Sequence, residues 1–229
     1  MRFETKRLVY AMFFPALFIL LIWIMMGFGM SFDFDWYRLG IFPRREEGLL
    51  GILTSPLIHS NVKHLFSNTV SLFVLGWCLF YFYKDLAYIA FPLIWIFSGL
   101  ITWCIGRDSW HIGASGLVYG MSFFLFFSGV FRRYIPLLAI SLMVAFLYGS
   151  TLWNMFPISE WIDSSVSWEG HLAGAIGGLA CAVMFRKYGP QREEPFPEEE
   201  DDDENENNEE NENNEGNGGH AGSEISSMG

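Results

Sequence analysis

The chain has 229 residues, 52% of them hydrophobic and 18% aromatic, yet it carries a formal net charge of −11. The acid sits at one end: residues 190–229 hold fifteen Asp and Glu against Arg192 alone, while residues 1–189 hold thirteen Lys and Arg against ten Asp and Glu. A body this apolar, with so slight a positive balance, excludes a nucleic-acid binder and reads as a membrane domain, 1–189, followed by a separate acidic tail, 190–229.

A helix that crosses a bilayer needs about 20 apolar residues. The first candidate, 9–28, follows Arg2, Lys6 and Arg7. It is too long for a secretory signal and no small-x-small cleavage site follows, so it reads as a retained span. Residues 31–61 form a polar-aromatic connection with two apolar patches, 38–43 and 49–58, too short to cross. They read as interfacial or re-entrant structure, with Trp36 and Tyr37 suited to the headgroup region. Five further spans are expected at 62–82, 86–104, 115–130, 134–153 and 171–185. Pro92 and Pro136 fall near the starts of theirs, where a missing N–H is tolerated.

The outcome is an all-α membrane protein of six transmembrane helices. The Asn/Glu-rich tail lacks the apolar residues to offset its ordering entropy and is expected to be disordered, a solvated solubilising segment. Cys78, Cys104 and Cys181 lie in apolar runs without CxxC spacing and read as inert buried thiols. Basic residues next to the spans (Arg2, Lys6, Arg7, Lys84, Arg132, Arg133, Arg186, Lys187) favour both termini in the cytoplasm.

Strongly polar residues inside a membrane are costly, about 2.5–3.5 kcal/mol for a central charge, so each needs a reason. Here they are His64, Asn68, Ser115 and His171. Asn68 stands sixteen residues before Lys84, Ser115 seventeen before Arg132 and His171 fifteen before Arg186. At 1.5 Å per residue all three lie about 22–26 Å above the cytoplasmic edge. Three helices thus bring polar groups to one depth. His64 and Asn68 share a face at i, i+4, as do Ser115 and Tyr119. Gly116 and Gly120 form one small-xxx-small pair and Gly174 and Gly178 another, with His171 on the face of the second. Small residues let membrane helices approach backbone to backbone, so the fourth and sixth spans can bring Ser115 and His171 together.

A serine hydroxyl becomes nucleophilic when a neighbouring base takes its proton, and His171 can do that. The Ser115 N–H, the His64 ring and the Asn68 amide could bind an oxyanion, and Tyr119 could pack on the His171 ring. Glu169 falls on another face from His171, and Asp108 and Asp163 in outer loops, so a dyad without a carboxylate is the economical reading. Taken singly, a GxSG string, a histidine beside glycines and a His–Asn pair each read as helix packing; their convergence favours chemistry. His59 and His111 read as water-facing loop histidines. A metal site lacks HExxH or other ligand spacing, and a transporter would pair charges near the midplane, where the spans have none.

These residues resemble the rhomboid family of intramembrane serine proteases over roughly 39–185. The resemblance rests on LGIFPR before the second span, His59-x4-His64-x3-Asn68 within it, Gly113-Ala114-Ser115-Gly116-x2-Tyr119 on the fourth, and His171-x2-Gly174-x3-Gly178 on the sixth. It implies a six-helix bundle in a bacterial inner membrane with a water-filled cavity open to the outer side. Ser115 would be the nucleophile, His171 the general base, and His64 and Asn68 the oxyanion site, with His59, Gly113, Gly116, Tyr119 and Gly174 in support. Trp153 would belong to a lateral gate for single-span membrane substrates, and no cofactor is implied. Where many bacterial relatives carry Trp-Arg in the first loop, this chain has Leu50 and Gly51. The rival class is a non-catalytic rhomboid-like protein that binds membrane clients.

Overall fold

The computed structural model describes residues 3–32, 35–149 and 167–191. The acidic tail beyond residue 191, and Trp153 and Asp163, lie outside the described residues. Among the described residues there are six long helices: α1 (Phe3–Ser31), α3 (Val62–Tyr83), α4 (Ala87–Ile105), α5 (Ser115–Arg132), α6 (Ile135–Tyr148) and α7 (Trp168–Met184). A single-turn helix, α2 (Gly51–Thr54), lies in the connection before α3. Three stretches among the described residues are long and apolar enough to cross a membrane: Thr5–Ser31, Val62–Ile105 and Ser115–Arg132. The turn at Lys84–Leu86 divides the second into α3 and α4, and Ile135–Leu147 is apolar but shorter. Helix starts follow local chemistry. The Asn61 side chain accepts the His64 N–H at the head of α3, and Ser167 accepts the Gly170 N–H at the head of α7. Pro136 is the second residue of α6, as expected, whereas Pro92 lies a turn further inside α4.

α5 and α7 share the most extensive interface of the bundle. A Cβ at Gly174 would overlap the Gly116 carbonyl, and one at Gly178 would overlap the Gly120 carbonyl. The two glycine pairs therefore interlock backbone to backbone. On the other flank of α5, Phe124, Met121 and Leu125 are sealed in the core. Phe14 and Phe18 of α1 meet Phe80, Phe91 and Trp95 at centroid distances of 4.7–5.3 Å. Gly76 of α3 lets the Pro15 ring of α1 sit close.

The first connection does not span. It folds onto the end of α4 through short 3-10 turns and α2. Leu50 and Gly51 offer no polar side chain to anchor this connection, and other groups hold it. Arg44 Nη1 donates to the Gly106 carbonyl (2.7 Å) and its Nη2 pairs with Asp108 (2.6 Å). Trp95 and Trp103 donate to the carbonyls of Ile52 (3.0 Å) and Arg45 (3.1 Å). Ile41 and His111 exchange both backbone hydrogen bonds, at 2.9 and 2.8 Å. Gly51 packs directly on the Gly40 carbonyl, so Gly is required there by space.

At the opposite end Arg132, counted above among the basic residues next to the spans, is buried in the last turn of α5. It donates to Ser128 Oγ (2.5 Å), to the Phe185 carbonyl (2.6 Å) and to the Tyr188 carbonyl, and lies 5.0 Å from the Tyr83 ring centroid. Its hydrogen bonds tie α5 to the end of α7.

If the interlocked glycines set the α5–α7 spacing, Gly178→Ala lowers stability by roughly 1–3 kcal/mol through overpacking. Gly27→Ala, where nothing lies within 4 Å of the added carbon, stays within about 0.5 kcal/mol of the parent. Thermal unfolding midpoints in detergent compare the two; equal effects would count against this packing.

Candidate active site

The loop before α5 delivers Ser115. Gly113 has a φ of 107°, a left-handed conformation that other residues rarely adopt, and its N–H donates to the Ser55 carbonyl (2.9 Å). A side chain there would also strike the His64 ring, whose Cε1 lies 2.7 Å from the position of the missing Cβ. Ser115 is then the first residue of α5, where a helix leaves its N–H groups without intrahelical acceptors.

α7 delivers His171 from its first turn, because the helix begins at Trp168, three residues before the expected start. His171 Nε2 lies 3.0 Å from Ser115 Oγ, so the hydroxyl can donate to the ring. Tyr119, one turn along α5 from Ser115, stacks on the His171 ring with centroids 4.4 Å apart and planes 15° from parallel. His171 and Tyr119 are both buried, whereas Ser115 is half-exposed. A nucleophile that can be reached, with a base held in one orientation, can support acyl transfer.

Asn68, His64 and His59 gather around the same loop. Asn68 Nδ2 donates to His59 Nε2 (3.0 Å), and the Ala114 N–H points to the same nitrogen (3.4 Å). An amide has two N–H groups and this bond uses one. His64 Nδ1 is 3.4 Å from Ser60 Oγ, and the Cε1–Nε2 edge of its ring faces Gly113. His59 and His64 rings meet edge to face at 5.2 Å.

Three expectations need correction. His59 and His111 are not water-facing; they are 8% and 4% exposed. Glu169 is a buried carboxylate, 2% exposed, where none was expected inside. Its Oε1 faces the Arg107 N–H (3.4 Å) and Arg107 Nε (3.7 Å). Sequence reasoning missed Ser167, whose hydroxyl meets His111 Nδ1 at 2.6 Å. The available signal was a serine two residues before an acidic residue at a helix start. Behind Ser115 lies a cavity of about 30 Å³, lined by Ser98, Thr102, His111 and Ser167 among others, large enough for a water. Among the described residues no group of three His, Cys, Asp or Glu side chains could hold a metal ion.

Burial, and secondarily the neighbouring His64, push His59 down to about 4 from an ordinary 6.5. Above pH 6.5 the ring is neutral in folded and unfolded chains alike. As the pH falls from 6.5 to about 4 the unfolded chain takes up the proton first, so stability declines across that window, by roughly 3 kcal/mol in total. Burial also pushes His111 down, which adds to the slope. Unfolding midpoints in detergent are thus expected to fall between pH 7 and 4.5, and less so in His59→Gln. A midpoint flat across that range would contradict a buried neutral His59.

A family model described as the rhomboid domain matches residues 46–188. Similar curated proteins include an uncharacterized protein of Mycobacterium tuberculosis (strain ATCC 25618 / H37Rv), 38% identical over 160 residues, covering 67% of this chain and 65% of the relative. One of Mycobacterium leprae (strain TN) is 36% identical over 161 residues, covering 67% and 62%. YdcA of Bacillus subtilis (strain 168), named as a candidate rhomboid protease, is 29% identical over 139 residues, covering 58% and 65%. The chain thus spans somewhat less than two thirds of the mycobacterial relatives it matches.

Proposed function

The chain belongs to the rhomboid family, and on that premise we propose that it is an intramembrane serine endopeptidase acting through a Ser115–His171 dyad. The observation that carries this reading is the 3.0 Å approach of Ser115 Oγ to a His171 ring held by Tyr119. His171 takes the hydroxyl proton as Ser115 Oγ attacks the scissile carbonyl. The tetrahedral oxyanion is met by the Ser115 N–H, His64 and a free N–H of Asn68. His171 then passes the proton to the departing amine, leaving an acyl ester on Ser115. Water, deprotonated by the same ring, hydrolyses the ester and frees the acid.

The substrate we propose is a single-span membrane protein, the class that the family resemblance implies. A hydroxyl and an imidazole at the heads of apolar helices are placed to meet peptide bonds within a bilayer. The adjacent basic residues orient the chain with both termini in the cytoplasm and the site toward the outer side of a bacterial inner membrane. Neither a metal nor an organic cofactor enters the mechanism.

Purified protein in liposomes, given a single-span test substrate, is expected to cleave it. Ser115→Ala and His171→Ala should each lower kcat more than about a thousandfold, the loss seen when a member of such a dyad is removed, and a chelator should have no effect. Cleavage surviving Ser115→Ala would refute the mechanism. Failure of the wild type to cleave, with membrane proteins co-purifying, would favour the client-binding alternative.

A further inference from the structure

The dyad has a counterpart four residues upstream on each segment. His111 stands four residues before Ser115, and Ser167 four residues before His171. His111 Nδ1 and Ser167 Oγ are 2.6 Å apart. The pair mirrors the dyad with its members exchanged, histidine on the nucleophile's segment and serine on the base's.

The hydrogen bonds fix its polarity. His111 Nε2 lies 3.0 Å from the Arg107 carbonyl. A carbonyl only accepts, so Nε2 carries the proton and Nδ1 accepts from the Ser167 hydroxyl. Ser167 Oγ in turn accepts the Gly170 N–H (3.2 Å) and so caps the helix that bears His171. His111 is also held on its backbone by Ile41 of the first connection, in both directions. One buried residue therefore joins three segments, the docked connection through its backbone and, through its ring, the loop entering α5 and the first turn of α7. His111, Ser167 and Ser115 line the same cavity. Glycine interlocking sets the distance between α5 and α7, but it leaves rotation and sliding of the first turn of α7 to be fixed by something at that end.

We infer that His111 and Ser167 form a positioning clamp that holds the first turn of α7 in register with the loop before α5, so that His171 Nε2 faces Ser115 Oγ. Neither residue touches the reacting atoms. The inference rests on the dyad reading above, since the clamp matters for activity only if that dyad does the chemistry.

Two measurements separate the clamp from simple helix capping. In a Ser115→Cys background, the rate of iodoacetamide alkylation at position 115, resolved by peptide mass spectrometry, reports whether the thiol still lies against His171, because a paired imidazole raises the thiolate fraction. His171→Ala sets the unpaired rate. His111→Phe and Ser167→Gly are each expected to bring the rate down about tenfold toward that level. Gly starts a helix nearly as well as Ser but has no hydroxyl to donate to His111 Nδ1, whereas Ser167→Thr keeps both bonds and should retain the parent rate. In the otherwise wild-type chain the same substitutions should lower kcat about tenfold to a hundredfold, the scale of a misplacement near 1 Å, with KM within about twofold. The double variant should be no worse than its more severe single.

If Ser167→Gly or His111→Phe alkylates and cleaves like the parent, the clamp is refuted, and a loss in Ser167→Gly alone marks Ser167 as a cap. Additive losses, or losses confined to KM, would refute it as well. If His171→Ala itself leaves the alkylation rate unchanged, the dyad reading fails and the clamp's role falls with it.

Discussion

The close approach of two helix backbones is the constraint on which the rest of this structure depends. Lipid tails are as apolar as leucine, so burial from water does not draw membrane helices together. Packing and polar contacts must do so. Gly116 and Gly120 on α5 meet Gly174 and Gly178 on α7 with no room for a Cβ between them. A serine hydroxyl and an imidazole are short reaches from their backbones. Only helices this close can place Ser115 Oγ 3.0 Å from His171 Nε2, and the α5–α7 seam both closes the bundle and makes the site geometrically possible.

Polar chemistry in an apolar bundle requires that its backbone and side-chain groups find partners. The first connection supplies many of them. It lies over one end of α4, held by Arg44, Trp95, Trp103 and the Ile41–His111 exchange. It also provides the Ser55 carbonyl that receives the Gly113 N–H and His59, the acceptor for Asn68 and Ala114. The connection therefore supports the loop that presents Ser115. A long unspanning segment between two spans is costly to order, and its hydrogen bonds to the nucleophile's loop are what it contributes in return.

Much of this was legible in the sequence because it is periodic. Apolar runs of spanning length gave the helices, and i, i+4 spacing paired Ser115 with Tyr119 and His64 with Asn68. The small-xxx-small pairs marked the faces that meet. Ser115 and His171 could be placed at one depth by counting residues from basic anchors. What could not be read was the burial of His59, His111 and Glu169. His59 lies in the first connection, His111 is bridged to it and Glu169 faces Arg107, so their burial depends on long-range contacts without periodic signature. Arg132 misled for a related reason: a charge at the end of an apolar run reads as a membrane-edge anchor, while here it reaches inward to carbonyls of the turn after α7. The residues around Trp153 lie outside the described chain, so a gate there rests on the sequence reading alone.

The central claim is that the α5–α7 approach makes Ser115 a nucleophile by setting His171 against it. The direct measurement is covalent labelling of the purified protein with a fluorophosphonate, which reacts with activated serines, followed by peptide mass spectrometry. The account predicts a single adduct on Ser115 in the wild type, lost in His171→Ala while that variant keeps its unfolding midpoint. Equal labelling in His171→Ala, or an adduct on any serine other than Ser115, would contradict it.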